Sequence, residues 1–173
     1  FKPESVSADL LIELLDIAVW APYNNSKEPW RFIGYTGEGR KLVVDAIIRA
    51  SGVKRSKAKK NPKDRRESLM AIPCYVVVVA DEDPRAKNRE EDYAAVCALI
   101  QNFQLAAWER GLGVAWITDN YISSPGFRDR IGVVPGERIV GLLNVGYPEF
   151  IPDVQTRTPA AEKLTVIDSL EGI

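Results

Sequence analysis

The chain contains no histidine. A Ser-His-Asp triad, a Cys-His dyad, a His-ligated zinc and a histidine general base are therefore excluded together. Cysteine is nearly absent too: Cys74 and Cys97 make neither a disulfide framework nor a four-thiolate zinc site. No charge sign is in excess, with 23 Lys and Arg against 24 Asp and Glu and a net charge of −1. Nucleic-acid binders usually carry a basic surplus, so that class drops out. Long apolar runs are missing as well. The longest, residues 71–80, is ten residues with a proline inside it, whereas a bilayer span needs roughly 20. No secretory leader is visible after Phe1, and the expectation is a cytoplasmic protein without membrane contact. What remains is an ordinary globular composition, 173 residues with 46% hydrophobic and 27% charged, which fits one domain with a real core.

Local patterns divide this domain into alternating helices and strands. Ser7 reads as an N-cap with Asp9 in the first helical turn, followed by Leu10, Leu11, Leu14, Leu15, Ala18 and Val19 on one face. Pro22 stops that helix. Residues 30–35 read as a strand, and Gly37 and Gly39 turn the chain into an amphipathic helix over 41–50. Residues 74–80 are β-branched and apolar on both faces, the pattern of a central strand covered on each side. The longest helix is expected over 90–110. Its stretch from Tyr93 to Ile100 is apolar all round, which puts it through the middle of the molecule. Gly111 and Gly113 end it, and a strand follows over 114–117. Ser124 and Pro125 mark a short helix closed by Gly132, and residues 138–145 form a late strand. Uneven alternation around one sheet gives a three-layer α+β domain.

Two segments stand apart. Residues 54–66 hold eight basic side chains and one acid. A solvated loop or frayed helix accounts for them, and a mobile basic lid that attracts phosphorylated ligands is the functional alternative. The stretch 148–173 carries Phe150, Ile151, Val154, Leu164, Val166 and Ile167 with no clear period. Apolar residues in a long irregular arm lie on something, and a partner subunit is the expected surface.

No pair of carboxylates, lysines or tyrosines declares itself as a catalyst by spacing, and no residue is assigned as acid, base or nucleophile. Gly111-Leu-Gly113 lacks the third glycine of a dinucleotide fingerprint and reads as a helix cap and turn. Both thiols sit among apolar residues, where cysteine behaves as a small hydrophobe. Few catalysts in a folded domain fit a cofactor-driven enzyme, and fit a non-catalytic binding domain equally.

Three stretches then carry a resemblance. Ala18-Val-Trp-Ala-Pro-Tyr-Asn-Asn-Ser-Lys-Glu-Pro-Trp-Arg-Phe32 ends a helix in Ala-Pro, crosses a polar loop and opens a strand at Pro-Trp. Ala94 to Ile117 runs a helix through Gly-Leu-Gly into a strand bearing a tryptophan, and Arg138 to Pro148 ends in Gly-Tyr-Pro. In order and spacing these resemble the nitroreductase family of FMN-dependent oxidoreductases, in particular its small single-domain members. The resemblance implies a three-layer nitroreductase-like fold with a mixed or antiparallel central sheet flanked by helices. It implies FMN as cofactor and NADH or NADPH as co-substrate. A nitroaromatic, quinone or similar small molecule would be the acceptor, and the protein would be a homodimer. In the family the loop after Ala-Pro lies against the flavin, which places Pro22, Tyr23, Asn24 and Ser26 there. Trp20 would reach the partner's flavin, Trp116, Ile117 and Thr118 match the strand end that approaches FMN, and Arg157 matches a phosphate contact. Read without the resemblance, Trp20 and Trp116 are core aromatics and Asn24 a turn former.

The sequence also departs from the family pattern. The family's Arg-Arg-Ser-x-Arg segment, whose arginines hold the phosphate, would stand before Phe1. Glu28 occupies the place of a frequent glutamine, and Ser26 that of a frequent asparagine. A carboxylate accepts hydrogen bonds but cannot donate them as an amide does. These departures motivate the alternative of a binding protein that keeps the fold with altered or no turnover.

Overall fold

Ser7 begins the structure's first helix as its spacing predicts, its hydroxyl accepting from the Leu10 amide at 3.1 Å. This helix, α1 (Ala8–Ala18), buries Leu11, Leu14 and Ala18 and ends four residues before Pro22. The computed structural model describes residues 1–24, 27–51 and 62–167. In chain order α1 is followed by β1 (Trp30–Tyr35), α2 (Arg40–Ser51), α3 (Pro62–Met70), β2 (Cys74–Asp81) and α4 (Ala86–Glu109). Then come β3 (Gly113–Ile117), α5 (Pro125–Arg128) and β4 (Glu137–Gly146). The expected basic lid falls largely on 52–61, outside the described residues. Its last part is α3, where Arg66 pairs with Asp45 of α2.

The strands form one sheet in the order β1-β2-β4-β3, with every neighbouring pair antiparallel. β2 is interior and buried from Cys74 to Ala80, as its two-sided apolar pattern requires. Alternation along it divides the core. Cys74, Val76, Val78 and Ala80 face α1 and α4, and Tyr75, Val77 and Val79 face α2 and α5. The result is the expected three-layer α+β architecture.

Some details differ from the sequence expectations. α4 does not run through the middle of the chain. It buries Val96, Leu99, Ile100 and Phe103 against the sheet while Ala94, Leu105 and Trp108 stay exposed along its outer side. An all-round apolar helix exceeds what one chain of this size can cover. Ser124 stands at the N-cap position of α5, but its hydroxyl donates back to the Tyr121 carbonyl at 2.7 Å instead of capping. Gly132 closes this region in the left-handed conformation (φ 67°), where a side chain would be strained.

The register between β2 and β4 slips once. Val78 pairs with Gly141 and Val79 with Ile139, so Val140 has no partner opposite it. This bulge bends β4 just beyond the last β3–β4 pair, Ile117 with Leu142. From Pro148 to residue 167 the chain is irregular apart from one short turn at Ala160–Glu162, with Phe150, Val154, Leu164 and Val166 exposed.

Candidate functional site

The loop between α1 and β1 is tied down from several directions. The Tyr23 ring meets the Trp30 ring edge-on, with centroids 5.4 Å apart and planes at 84°. Lys27 pairs with Asp81 at the end of β2, and the Asp81 amide donates to the Pro29 carbonyl at 2.9 Å. Arg31 takes both oxygens of Glu137, at 2.6 and 2.7 Å, and donates to the Gly132 carbonyl. Glu28 thus stands exposed between two cations that are already engaged elsewhere.

Held in this way, Pro22, Tyr23 and Asn24 line a cleft of about 270 Å³ against Glu91, Ala94, Ala95 and Ala98 of α4. The small residues on α4 leave the room. Neither Trp20, Trp116, Ile117, Thr118 nor Arg157 lines it. Trp20 projects into solvent, 86% exposed, and Ser26 lies outside the described residues. Arg157 is exposed on the arm, where its guanidinium donates to the carbonyls of Gln155 and Thr156.

Trp116, Ile117 and Thr118 meet the other part of the expected site at the end of β3. Strand alternation separates the first two: Trp116 packs with the α1–α4 core and Ile117 with the α2–α5 core. Thr118 follows, exposed. On the Ile117 side, Ala115 is exposed opposite Asn144 in β4, so no helix among the described residues covers Ala115. Asn144 is half-buried, and its side-chain oxygen is enclosed without a donor. β3 is also an edge strand, so its outer backbone N–H and C=O groups have no strand partner among the described residues.

A larger cavity lies away from the loop. It measures about 680 Å³ and is walled by Leu105 and Trp108 of α4, the start of β3, and Phe150 and Ile151 of the arm. A charged cleft of about 450 Å³ includes Lys27, Asp81, Asp83, Arg85 and Asp92. No group of three or more potential metal ligands occurs among the described residues, and no described helix is long and apolar enough to cross a membrane. Burial pushes the Cys74 thiol up to about 12 and raises Cys97 as well. Neither supplies a thiolate near neutral pH.

Trp30, Lys27 and Asp81 escaped the sequence-level site, although all three shape its loop. The Pro29-Trp30 dipeptide was a signal for the first. No local pattern marks the Lys27–Asp81 pair, whose members lie 54 residues apart.

Comparison with known proteins agrees with this architecture. The model of the Nitroreductase family matches residues 1–147. YfhC of Bacillus subtilis (strain 168), provisionally named an NAD(P)H nitroreductase, is 32% identical over 169 residues, covering 95% of this chain and 86% of its own. A crystal structure of a nitroreductase-like family protein from Bacillus cereus superposes with a TM-score of 0.88 at 44% identity, covering 98% of this chain and 89% of that one. The FMN-dependent nitroreductase NfnB from Mycobacterium smegmatis, solved with NADPH, shares the fold at 16% identity. Its TM-score is 0.72, with 96% of this chain and 91% of that one covered. The chain belongs to the nitroreductase family.

Proposed function

We propose that this protein is an FMN-dependent oxidoreductase that passes hydride from NADH or NADPH to a nitroaromatic, quinone or similar small acceptor, and that it works as a homodimer. The observation that carries the reading is the uncovered corner at β3. A flavin needs a flat surface and a mixture of donors and acceptors. Exposed Ala115 offers the first, and the edge of β3, without a strand partner among the described residues, offers the second. The residues present fit the group. The NAD(P)H in the name of YfhC and the FMN of NfnB support the same choice.

When bound, the flavin supplies the hydride chemistry. The chain's own work is to bind, orient and exclude water. Ile117 and Thr118 would position the ring from β3, and Arg157 would meet the phosphate. Pro22, Tyr23, Asn24 and Ser26 would approach from the loop, and Trp20 would reach the partner's site. The absence of histidine and the protonated thiols fit a protein that leaves the chemistry to its cofactor.

Surfaces left bare by the described residues support the homodimer. Leu105 and Trp108 on α4, and Phe150, Ile151 and Val154 on the arm, are all more than half exposed. A second copy covering them would also close the cavity of about 680 Å³. We propose that the arm 148–173, whose last six residues lie outside the described ones, packs on the partner subunit.

The test is the visible spectrum of the purified protein after incubation with FMN, followed by NAD(P)H consumption with an artificial acceptor. A flavin spectrum with turnover supports the reading. Protein that takes up no FMN and consumes no NAD(P)H overturns it and leaves a binding protein that keeps the fold.

A further inference from the structure

Gly141 and Trp116 meet at the bulge in β4. A Cβ on Gly141 would stand 2.5 Å from Cδ1 of Trp116 and closer still to Nε1, so only glycine lets the indole lie across the strand here. The indole N–H donates to the Val140 carbonyl at 3.1 Å. Val140 is the residue that the bulge leaves without a partner in register on β2, and the β3 ladder stops at Leu142. Val140 is buried, so its carbonyl needs a donor from elsewhere. The indole thus ties β3 to β4 beyond their last ladder pair, immediately before Ile117 and Thr118.

We propose that Trp116 is a positioning residue that sets the flavin-facing end of β3 from behind the sheet, with Gly141 and the Val140 bulge as its seat. The inference rests on the flavin reading and changes the part Trp116 plays in it. Trp116 faces the α1–α4 core while Ile117 and exposed Ala115 face the opposite side, so a ring lying on the Ala115 face would meet Ile117 and not the indole. Trp116 instead holds the strand against which the ring would lie. A strand end displaced by even 1 Å misplaces the backbone groups that meet the ligand.

The experiment compares the full chain with Gly141→Ala, Trp116→Phe, Trp116→Leu and the Gly141→Ala/Trp116→Leu double variant. FMN and lumiflavin dissociation constants, the visible band of bound FMN and the thermal midpoint of the FMN-free protein are measured for each. Trp116→Phe keeps a ring over Gly141 and loses the N–H, so FMN affinity falls about fivefold, the usual worth of one hydrogen bond. Gly141→Ala displaces the indole and costs about tenfold or more, with a shifted flavin band. Lumiflavin, the ring without its phosphate tail, weakens by the same factors because the ring's seat is what moves. In the Trp116→Leu background Gly141→Ala adds no further loss, since the group it collides with is gone.

Equal losses from Gly141→Ala in both backgrounds overturn the proposal. So do variants whose thermal midpoints fall while flavin affinity and band stay unchanged, which would make the contact structural only. If Gly141→Ala does not fold, Trp116→Phe and Trp116→Leu decide by the same readouts. Wild-type protein that binds no flavin overturns the flavin reading and the positioning role together. Wild-type binding with indifferent variants overturns the positioning role alone.

Discussion

At the β1 side of the sheet the Arg31 guanidinium grips both oxygens of buried Glu137, whose Oε2 also accepts from the Val134 amide. Arg128 donates to the Glu137 carbonyl, and the Tyr35 hydroxyl donates to that of Ile131. At the β3 side Ala115 is bare, the strand edge has no strand partner among the described residues, and the arm beyond Pro148 is exposed at every apolar residue it carries through Ile167. The first side is tied together by the chain's own charged and polar groups. The second is left bare by the described residues, and it is there that we propose a ligand and a second copy. The sharpest difference between the two is what happens when each is cut back.

Ending the chain at Tyr147 should have the largest effect. Tyr147 keeps its own place, because its carbonyl accepts from the Lys2 amide at 2.8 Å. We expect the mass in solution to fall from two chains to one and FMN uptake to be lost, measured by light scattering and absorbance. An unchanged dimer would show that the arm is not the contact and that α4 alone carries it.

The β1 side should instead break from within. Glu137→Ala leaves Arg31 and the Val134 amide short of partners, at a cost of about 2 kcal/mol by denaturant unfolding. The figure sits below that for fully buried pairs because the Arg31 side chain is 44% exposed. The Arg31 hydrogen bond holds the Glu137 carboxyl below its ordinary value of 4.5, against the opposing effect of burial. A depressed folded-state value means stability that is present above the unfolded value and lost as pH falls through the folded one. Wild-type stability should therefore drop on acidification below about pH 4.5, and Glu137→Gln should remove part of that slope. Parallel acid profiles for the two proteins would show that other carboxylates carry it.

Much of this contrast could be seen in the residue pattern, and some could not. Runs such as 74–80 and the capped periodicity of α1 fix local structure because burial on two faces or one leaves few alternatives. The exposed side of α4 was hidden by the same logic: an all-round apolar helix announces a second surface without saying whether the chain itself provides it. Pairing of charges was the least legible feature. Glu28 has Lys27 and Arg31 beside it in sequence, yet Lys27 bonds Asp81 and Arg31 bonds Glu137, 54 and 106 residues away. Only the sheet register brings these together. The bulge left a trace in Gly141, a glycine inside an apolar strand, and the period of two already set Trp116 and Ile117 on opposite faces. In the candidate site, Pro22 to Asn24 gather around one cleft, while the parts on β3 and the arm belong to other surfaces of the same chain.

The cleft itself offers a smaller test. Tyr23→Leu keeps apolar bulk at the loop and removes the edge-on contact with Trp30, a loss of about 1 kcal/mol. FMN affinity should fall roughly fivefold while the thermal midpoint of the FMN-free protein drops by only about 2–4 °C. A large fall in the midpoint without a change in affinity would return Tyr23 to the core of the β1 side.

The smallest effect belongs to Glu28. Its carboxylate is exposed, and both neighbouring cations are committed to other acids, so its charge is cancelled by neither. Reduction puts negative charge on a flavin ring, and a carboxylate near the ring opposes that charge. Glu28→Gln removes the charge, keeps the shape and restores an amide donor. The flavin midpoint potential should rise and FMN should bind more tightly. Water around the side chain screens the interaction, which limits the rise to about 10 mV. Salt sharpens the test, since a screened surface charge loses its influence as ionic strength climbs. The difference in potential between the wild type and Glu28→Gln should therefore be greatest in dilute buffer and vanish at about 1 M salt. A lowered potential, or one that differs equally at all salt concentrations, would place Glu28 outside the reach of the flavin and leave the loop's contribution to Pro22, Tyr23 and Asn24.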